Sequence, residues 1–363
     1  MKINMKFKTI AIFLILLIIA PILSACAGGA AAAASSWPGL AADQETAYLA
    51  FNQHIYAINL SNGLEKWRYP VEGSNKTTFF ATPVLTPDGQ LLAGDYTNTL
   101  HSLNPSTGQE NWSFSEATDR YVGSPLAVNG SIYAPNAGNQ LYALDSNGNQ
   151  LWEFVTDGPL WAAPTADGDC NCVYLPSMDH YLYAVNVQDG TKNWQSEEFG
   201  GSIVGSPAIS PDGILYIGTF SSQVMAVDSQ NGSIIWQTPT DDWVWGGPIL
   251  KDDVLYVGDL SGTVYAIDAK TGAIKWQNPL DGDITGSPLV TDDTIYVATE
   301  SGGLSALDFS GNILWNKQFS GSLHTTPVSS GDLILVAATG SDELLYALDN
   351  TGNQKWAFIP EKK

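Results

Sequence analysis

Glycine and tryptophan stand four residues apart eight times in this chain, at Gly63/Trp67, Gly108/Trp112, Gly148/Trp152, Gly190/Trp194, Gly232/Trp236, Gly272/Trp276, Gly311/Trp315 and Gly352/Trp356. The pairs recur about every 40 residues. A period of that length marks a repeat array, in which one supersecondary unit buries its faces against copies of itself. The fold question therefore precedes any search for catalytic residues.

Each unit opens on a proline preceded by small residues: Pro38, Pro83, Pro125, Pro164, Pro207, Pro248, Pro288 and Pro327. In the sixth copy, Pro248 to Leu250 reads as a short strand, Val254 to Gly258 as a second, Val264 to Asp268 as a third and Ala273 to Gln277 as a fourth, with turn residues between them. One unit is thus a four-stranded antiparallel meander. The middle strands are apolar or small on both faces, so both faces are covered. Neighbouring units supply the cover if the sheets stack radially, and about 41 residues per unit fits a propeller blade. The pattern predicts an all-β, eight-bladed β-propeller of four-stranded antiparallel blades over residues 37–363. The first copy is degenerate, and the alternative is seven blades with that copy as extra edge strands.

The invariably placed glycine suits a left-handed turn position before the fourth strand. An Asp or Asn precedes it, at Asn59, Asn104, Asp145, Asn186, Asp228, Asp268, Asp308 and Asp349, as an acceptor for turn backbone groups. Where it comes three residues before the glycine rather than four, after Asp145, Asp308 and Asp349, the hairpin should be one residue shorter. Trp67, Trp112, Trp152, Trp194, Trp236, Trp276, Trp315 and Trp356 read as structural docking residues, since an indole covers more of an adjacent blade than an aliphatic does. The small residues Ala57, Ser102, Ala143, Ala184, Ala226, Ala266, Ala306 and Ala347 leave room for them.

The run from Ala266 to Trp276, nearly repeated from Ala226 to Trp236, resembles the tryptophan-docking motif of the quinoprotein dehydrogenase-like, or PQQ-repeat, propellers. The resemblance covers residues 37–363. It implies an eight-bladed propeller with its functional face around a central funnel. Enzymes of that family set two adjacent cysteines against a quinone and hold a calcium ion nearby. This chain has no Cys-Cys dipeptide; Cys170 and Cys172 are separated by one residue and fall between the first two strands of their blade, away from the expected funnel. No catalytic residue carries over, and no cofactor or metal is expected. In size and address the chain is similar to exported propeller lipoproteins, such as the accessory lipoprotein of the outer-membrane β-barrel assembly machinery.

That address lies at the start of the chain. Lys2, Lys6 and Lys8 precede an apolar run from Ile10 to Ala20, of signal-peptide length and short for a membrane span. Leu23-Ser24-Ala25-Cys26 resembles a lipobox, which implies cleavage after residue 25 and acylation of Cys26; the alternative is an uncleaved N-terminal anchor. Residues 26–36 then form a flexible Ala/Gly/Ser tether. The expected location is the bacterial cell envelope, lipid-anchored at the outer or the cytoplasmic membrane and facing the periplasm or the exterior. Lys+Arg 15 against Asp+Glu 37 gives a net charge of −22. That sign repels phosphate backbones and argues against nucleic acid.

Function is then sought where the eight copies differ. Three residues before each proline stand Ser35, Phe80, Val122, Trp161, Val204, Trp245, Thr285 and His324, positions expected to ring the mouth of the channel. Arg120, Tyr121 and Trp243 lie beside them. Phe80, Arg120, Tyr121, Trp161, Trp243, Trp245 and His324 are the candidate funnel residues, either binding a partner or sealing the channel. The acidic pairs Asp167/Asp169, Asp241/Asp242, Asp252/Asp253 and Asp292/Asp293 lack the alternating oxygen ligands of a calcium loop. His54, His101 and His180 have no zinc spacing and read as surface or packing residues, and Cys170 and Cys172 as free or loosely paired thiols. The expected function is a non-enzymatic scaffold that binds another exported protein or peptide. Alternatives are a PQQ-dependent oxidoreductase and a carbohydrate-binding surface protein.

Overall fold

The computed structural model describes residues 37–361 except 75 and 168–169. Cys26, the signal segment, the tether and Ser35 lie outside the described residues. Thirty-two strands form eight four-stranded antiparallel sheets, each a meander of consecutive strands. We number these blades 1 to 8: residues 39–69, 84–114, 126–155, 165–195, 208–239, 249–279, 289–318 and 328–358. The protein is an eight-bladed β-propeller, and the degenerate first copy is a full blade.

Burial explains why the middle strands are apolar on both faces. Blade 6 shows it: Val254–Gly258 and Thr263–Asp268 are almost wholly buried, while the outermost strand, Ile274–Pro279, alternates with solvent. Tyr216, Val224 and Ala226 of blade 5 share a core with Leu255, Val257, Tyr265 and Ile267 of blade 6. Each of the other seven seams has an equivalent core, and each large side chain buried there contributes about 1.5–3 kcal/mol.

The docked tryptophans bolt these seams. The Trp236 Nε1–H donates to the Ala269 carbonyl of the next blade at 3.0 Å. The same bond recurs at every seam, including Trp356 to Leu60 at 2.7 Å, which closes the ring. No strand is exchanged between blades 8 and 1. Side chains complete that seam, with Ser330 Oγ donating to the Asp43 carbonyl at 2.6 Å. The motif glycine serves its neighbour's tryptophan: Gly272 has φ +72°, and a Cβ there would lie 2.8 Å from the Trp236 ring. The Asp145, Asp308 and Asp349 turns close over one residue fewer than the Asp268 turn.

Ala266 pairs with both Tyr256 and Trp276, and the two rings meet at 6.2 Å across it. Tyr–Ala–Trp rows of this kind build blades 1, 3, 4, 5, 6 and 7. Around the axis the first strands crowd together. A Cβ on Gly246 would approach the Gly286 carbonyl carbon to 2.7 Å, and one on Gly205 the Gly247 nitrogen to 2.6 Å, which is why small residues precede the prolines.

One expectation about the cysteines is corrected. The sulfurs of Cys170 and Cys172 are joined, with Cα atoms 5.2 Å apart, and Tyr174 and Asn193 each donate a hydrogen bond to one of them at 3.1 Å. The pair lies at a first-to-second strand turn, on the face away from the funnel.

Candidate functional site: the funnel face

In a four-stranded meander the second-to-third-strand loops and the connections between blades emerge on one face. The centre of that face is filled by Trp37. Its ring lies parallel to the His324 imidazole, 4.8 Å away at 1°, with the Trp245 ring at 5.2 Å and the Phe80 ring at 5.8 Å. Phe80 enters from the blade 2 side and Trp245 from the blade 6 side, which are opposite in a ring of eight, so the Trp37 indole sits near the axis. Of the residues three before each proline, Phe80, Trp245 and His324 meet around an indole that the sequence reading did not single out.

The group extends outward on both sides. Phe80 stacks on Tyr96 at 5.9 Å, and the Arg120 guanidinium lies 5.3 Å over the Tyr96 ring. Opposite, Trp245 meets Phe220 at 5.1 Å, and Phe220 stacks on Trp243 at 4.8 Å with 15° between planes. Trp243, at 47% exposure, is the outermost ring. Arg120, Tyr96, Phe80, Trp37, Trp245, Phe220 and Trp243 thus form one continuous belt across the mouth, with His324 beside its centre.

Two candidates stand elsewhere. Tyr121 is fully buried between blades, its ring against Gly94, and burial pushes its hydroxyl pKa up. It belongs to the positions four before each proline, where Phe79, Tyr121, Leu160, Ile203, Val244, Ile284 and Leu323 all point into the seams. Trp161 is half-buried, with its Nε1 turned inward and lacking a hydrogen-bond partner among the described residues.

His324 Nδ1 lies 3.2 Å from the Glu300 carboxylate. The other notable imidazole is His101, in the seam of blades 1 and 2, with Nε2 3.2 Å from Asp95 and Nδ1 2.9 Å from Glu110. Tyr69 of blade 1 also donates to Glu110. Burial alone would push the imidazole pKa down, but the two carboxylates outweigh it and hold it above the usual value. Asp95 is fully enclosed, a placement that opposes ionisation, yet its bonds to His101 and Thr97 keep its pKa below the ordinary range.

A pyrroloquinoline quinone would need a flat slot at the mouth and oxygen ligands for its calcium. The residues present do not fit it. The Trp37 indole, with His324, Trp245 and Phe80 around it, fills the slot.

Fold, docked tryptophans and funnel together define an eight-bladed propeller of the PQQ-repeat class. A family model described as outer membrane protein assembly factor BamB matches residues 97–243, 240–310 and 290–361, and the chain belongs to that family. Tetrathionate hydrolase of Acidithiobacillus ferrooxidans is 24% identical over 196 residues, 46% of this chain and 39% of that protein. Outer membrane protein assembly factor BamB of Nitrosomonas eutropha is 24% identical over 174 residues, 47% of this chain and 41% of that protein. The matched part spans about two-fifths of the length of these curated relatives. The crystal structure of BamB from Moraxella catarrhalis superposes with a TM-score of 0.65 at 19% identity, over 83% of this chain and 92% of that one, a likeness of fold.

Proposed function

We propose that this protein is a non-enzymatic scaffold of the bacterial cell envelope, tethered through an acylated Cys26, that holds another exported protein against its funnel face. The observation that carries this reading is the aromatic belt, open to solvent at Trp243, on a propeller of the BamB family. A run of half-buried aromatic rings ending in an exposed tryptophan on a loop face has the composition of an interface. A photo-crosslinking residue at position 243 of the full chain, in its own host, is expected to trap one defined exported protein. The same probe at position 147, on the opposite face, is expected not to. Equal trapping at both positions, or none at either, would count against the scaffold.

An enzyme is the second reading, favoured by the likeness to tetrathionate hydrolase. Saturable turnover of tetrathionate by the purified protein, or dye reduction after adding pyrroloquinoline quinone with calcium, would replace the first reading.

A further inference from the structure

The geometry points to the chemistry of the partner: we infer that the belt is a docking track for an extended, arginine-rich polypeptide segment. This rests on the scaffold reading and specifies its ligand. Three observations carry it. The first is a guanidinium already in place, since Arg120 lies over Tyr96 at one end of the belt and shows that these rings accept a planar cation. At the other end Phe220 and Trp243 form a matching stacked pair, with Trp243 exposed and, among the described residues, no cation over either ring.

The second is charge. The described loops and connections on this face carry sixteen Asp and Glu, ten in the connections and six in the loops, against Lys76 and Arg120 as the cations. Asp95 and Asp259 are buried, but Asp241 and Asp283 are exposed beside the belt. An exposed cationic segment is steered to such a surface, and long-range attraction of this kind falls steeply with salt.

The third is shape. Successive rings from Tyr96 to Trp243 are 4.8–5.9 Å apart and run outward from Trp37 on two opposite sides. A closed cage would select a single ammonium group. A belt that runs outward on two sides offers contacts to several side chains of one extended segment, whose same-face side chains recur about every 6.6–7 Å. Arginine is favoured over lysine because its planar guanidinium stacks on ring faces and is more weakly hydrated.

The test is a titration of the purified propeller-bearing chain with nona-arginine, nona-lysine and a panel of neutral oligosaccharides. Nona-arginine is expected to bind more tightly than nona-lysine, and more weakly as salt is raised. Trp243→Ala and Phe220→Ala should each weaken it about tenfold or more, and Asp292→Asn, on the opposite face, less than about twofold. Trp243 is exposed, so its removal leaves the fold intact. Nona-arginine binding that ignores Trp243→Ala and Phe220→Ala would reduce the effect to adsorption on an acidic surface and overturn the inference. So would absence of binding, or oligosaccharide binding that Trp243→Ala abolishes. Crosslinking from position 243 without nona-arginine binding would sink this inference while leaving the scaffold reading in place.

Discussion

At Gly272 two demands meet in one residue: a left-handed φ of +72° and an indole from the next blade pressed to within 2.8 Å of where a Cβ would sit. Gly89 has a similar φ of +84° with nothing within 4 Å, so it feels the first demand alone. Gly89→Ala should therefore cost about 1 kcal/mol of stability, and Gly272→Ala roughly 2–4 kcal/mol, because Trp236 must leave its dock. Urea midpoints of the two variants check the difference; equal losses would show that the turn, not the dock, selects glycine. His101 has a consequence of the opposite chemical kind. Its pKa is raised in the folded state, so the stability it contributes is complete below the unfolded imidazole value and is lost as pH rises through the folded one. Asp95 and Glu110 have lowered pKa values, and their contribution is lost as pH falls through the folded carboxylate values. Stability from this cluster should peak in mildly acidic solution. Melting temperature is expected to fall from about pH 6 to about pH 8 in the wild type and to fall less in His101→Gln.

Among the blades, the seam between 8 and 1 differs from the rest because no peptide connects its two sides. Seams such as that of blades 5 and 6 have a connecting segment as well as a docked indole and a core; this one has Trp356 on Leu60, Ser330 on Asp43 and a shared core. Trp356→Ala should cost roughly 3–5 kcal/mol and expose that seam selectively. Amide exchange is expected to accelerate in blades 1 and 8 together, whereas Trp236→Ala accelerates exchange less sharply at its own covalently joined seam. Uniform acceleration in both variants would mean the ring opens as a whole. The same comparison shows what the sequence displays. A contact made at all eight seams leaves eight copies of its residues, so Gly272 and Trp276 announce the fold. The Tyr256 row is fainter, because Leu92 and Leu335 replace the tyrosine in blades 2 and 8. Tyr121 misleads by a single position: it stands beside a residue of the expected ring but is buried in the seam core of blades 2 and 3.

For the whole ring, the residue that gathers the funnel is the one the repeat conceals. Trp37 directly precedes the first proline and has no counterpart in the other copies, where Thr82, Ser124, Ala163, Ser206, Gly247, Ser287 and Thr326 stand. Its partners Phe80, Trp245 and His324 come from connections spread over most of the chain, and only closure of eight blades brings them to one point. A pattern within one repeat has no means of encoding such a contact. Removing this ring leaves a flat gap among three others. Trp37→Ala should lower stability by about 1–3 kcal/mol and leave the blades formed, since no seam depends on it. Free indole has the shape of the missing group, and a ligand bound only by the folded state stabilises it by mass action. Millimolar indole is therefore expected to raise the melting temperature of Trp37→Ala and to leave that of the wild type unchanged. An equal rise in both proteins would place the indole elsewhere. No rise in the variant, with the blades still formed, would show that Phe80, Trp245 and His324 collapse inward to fill the axis themselves.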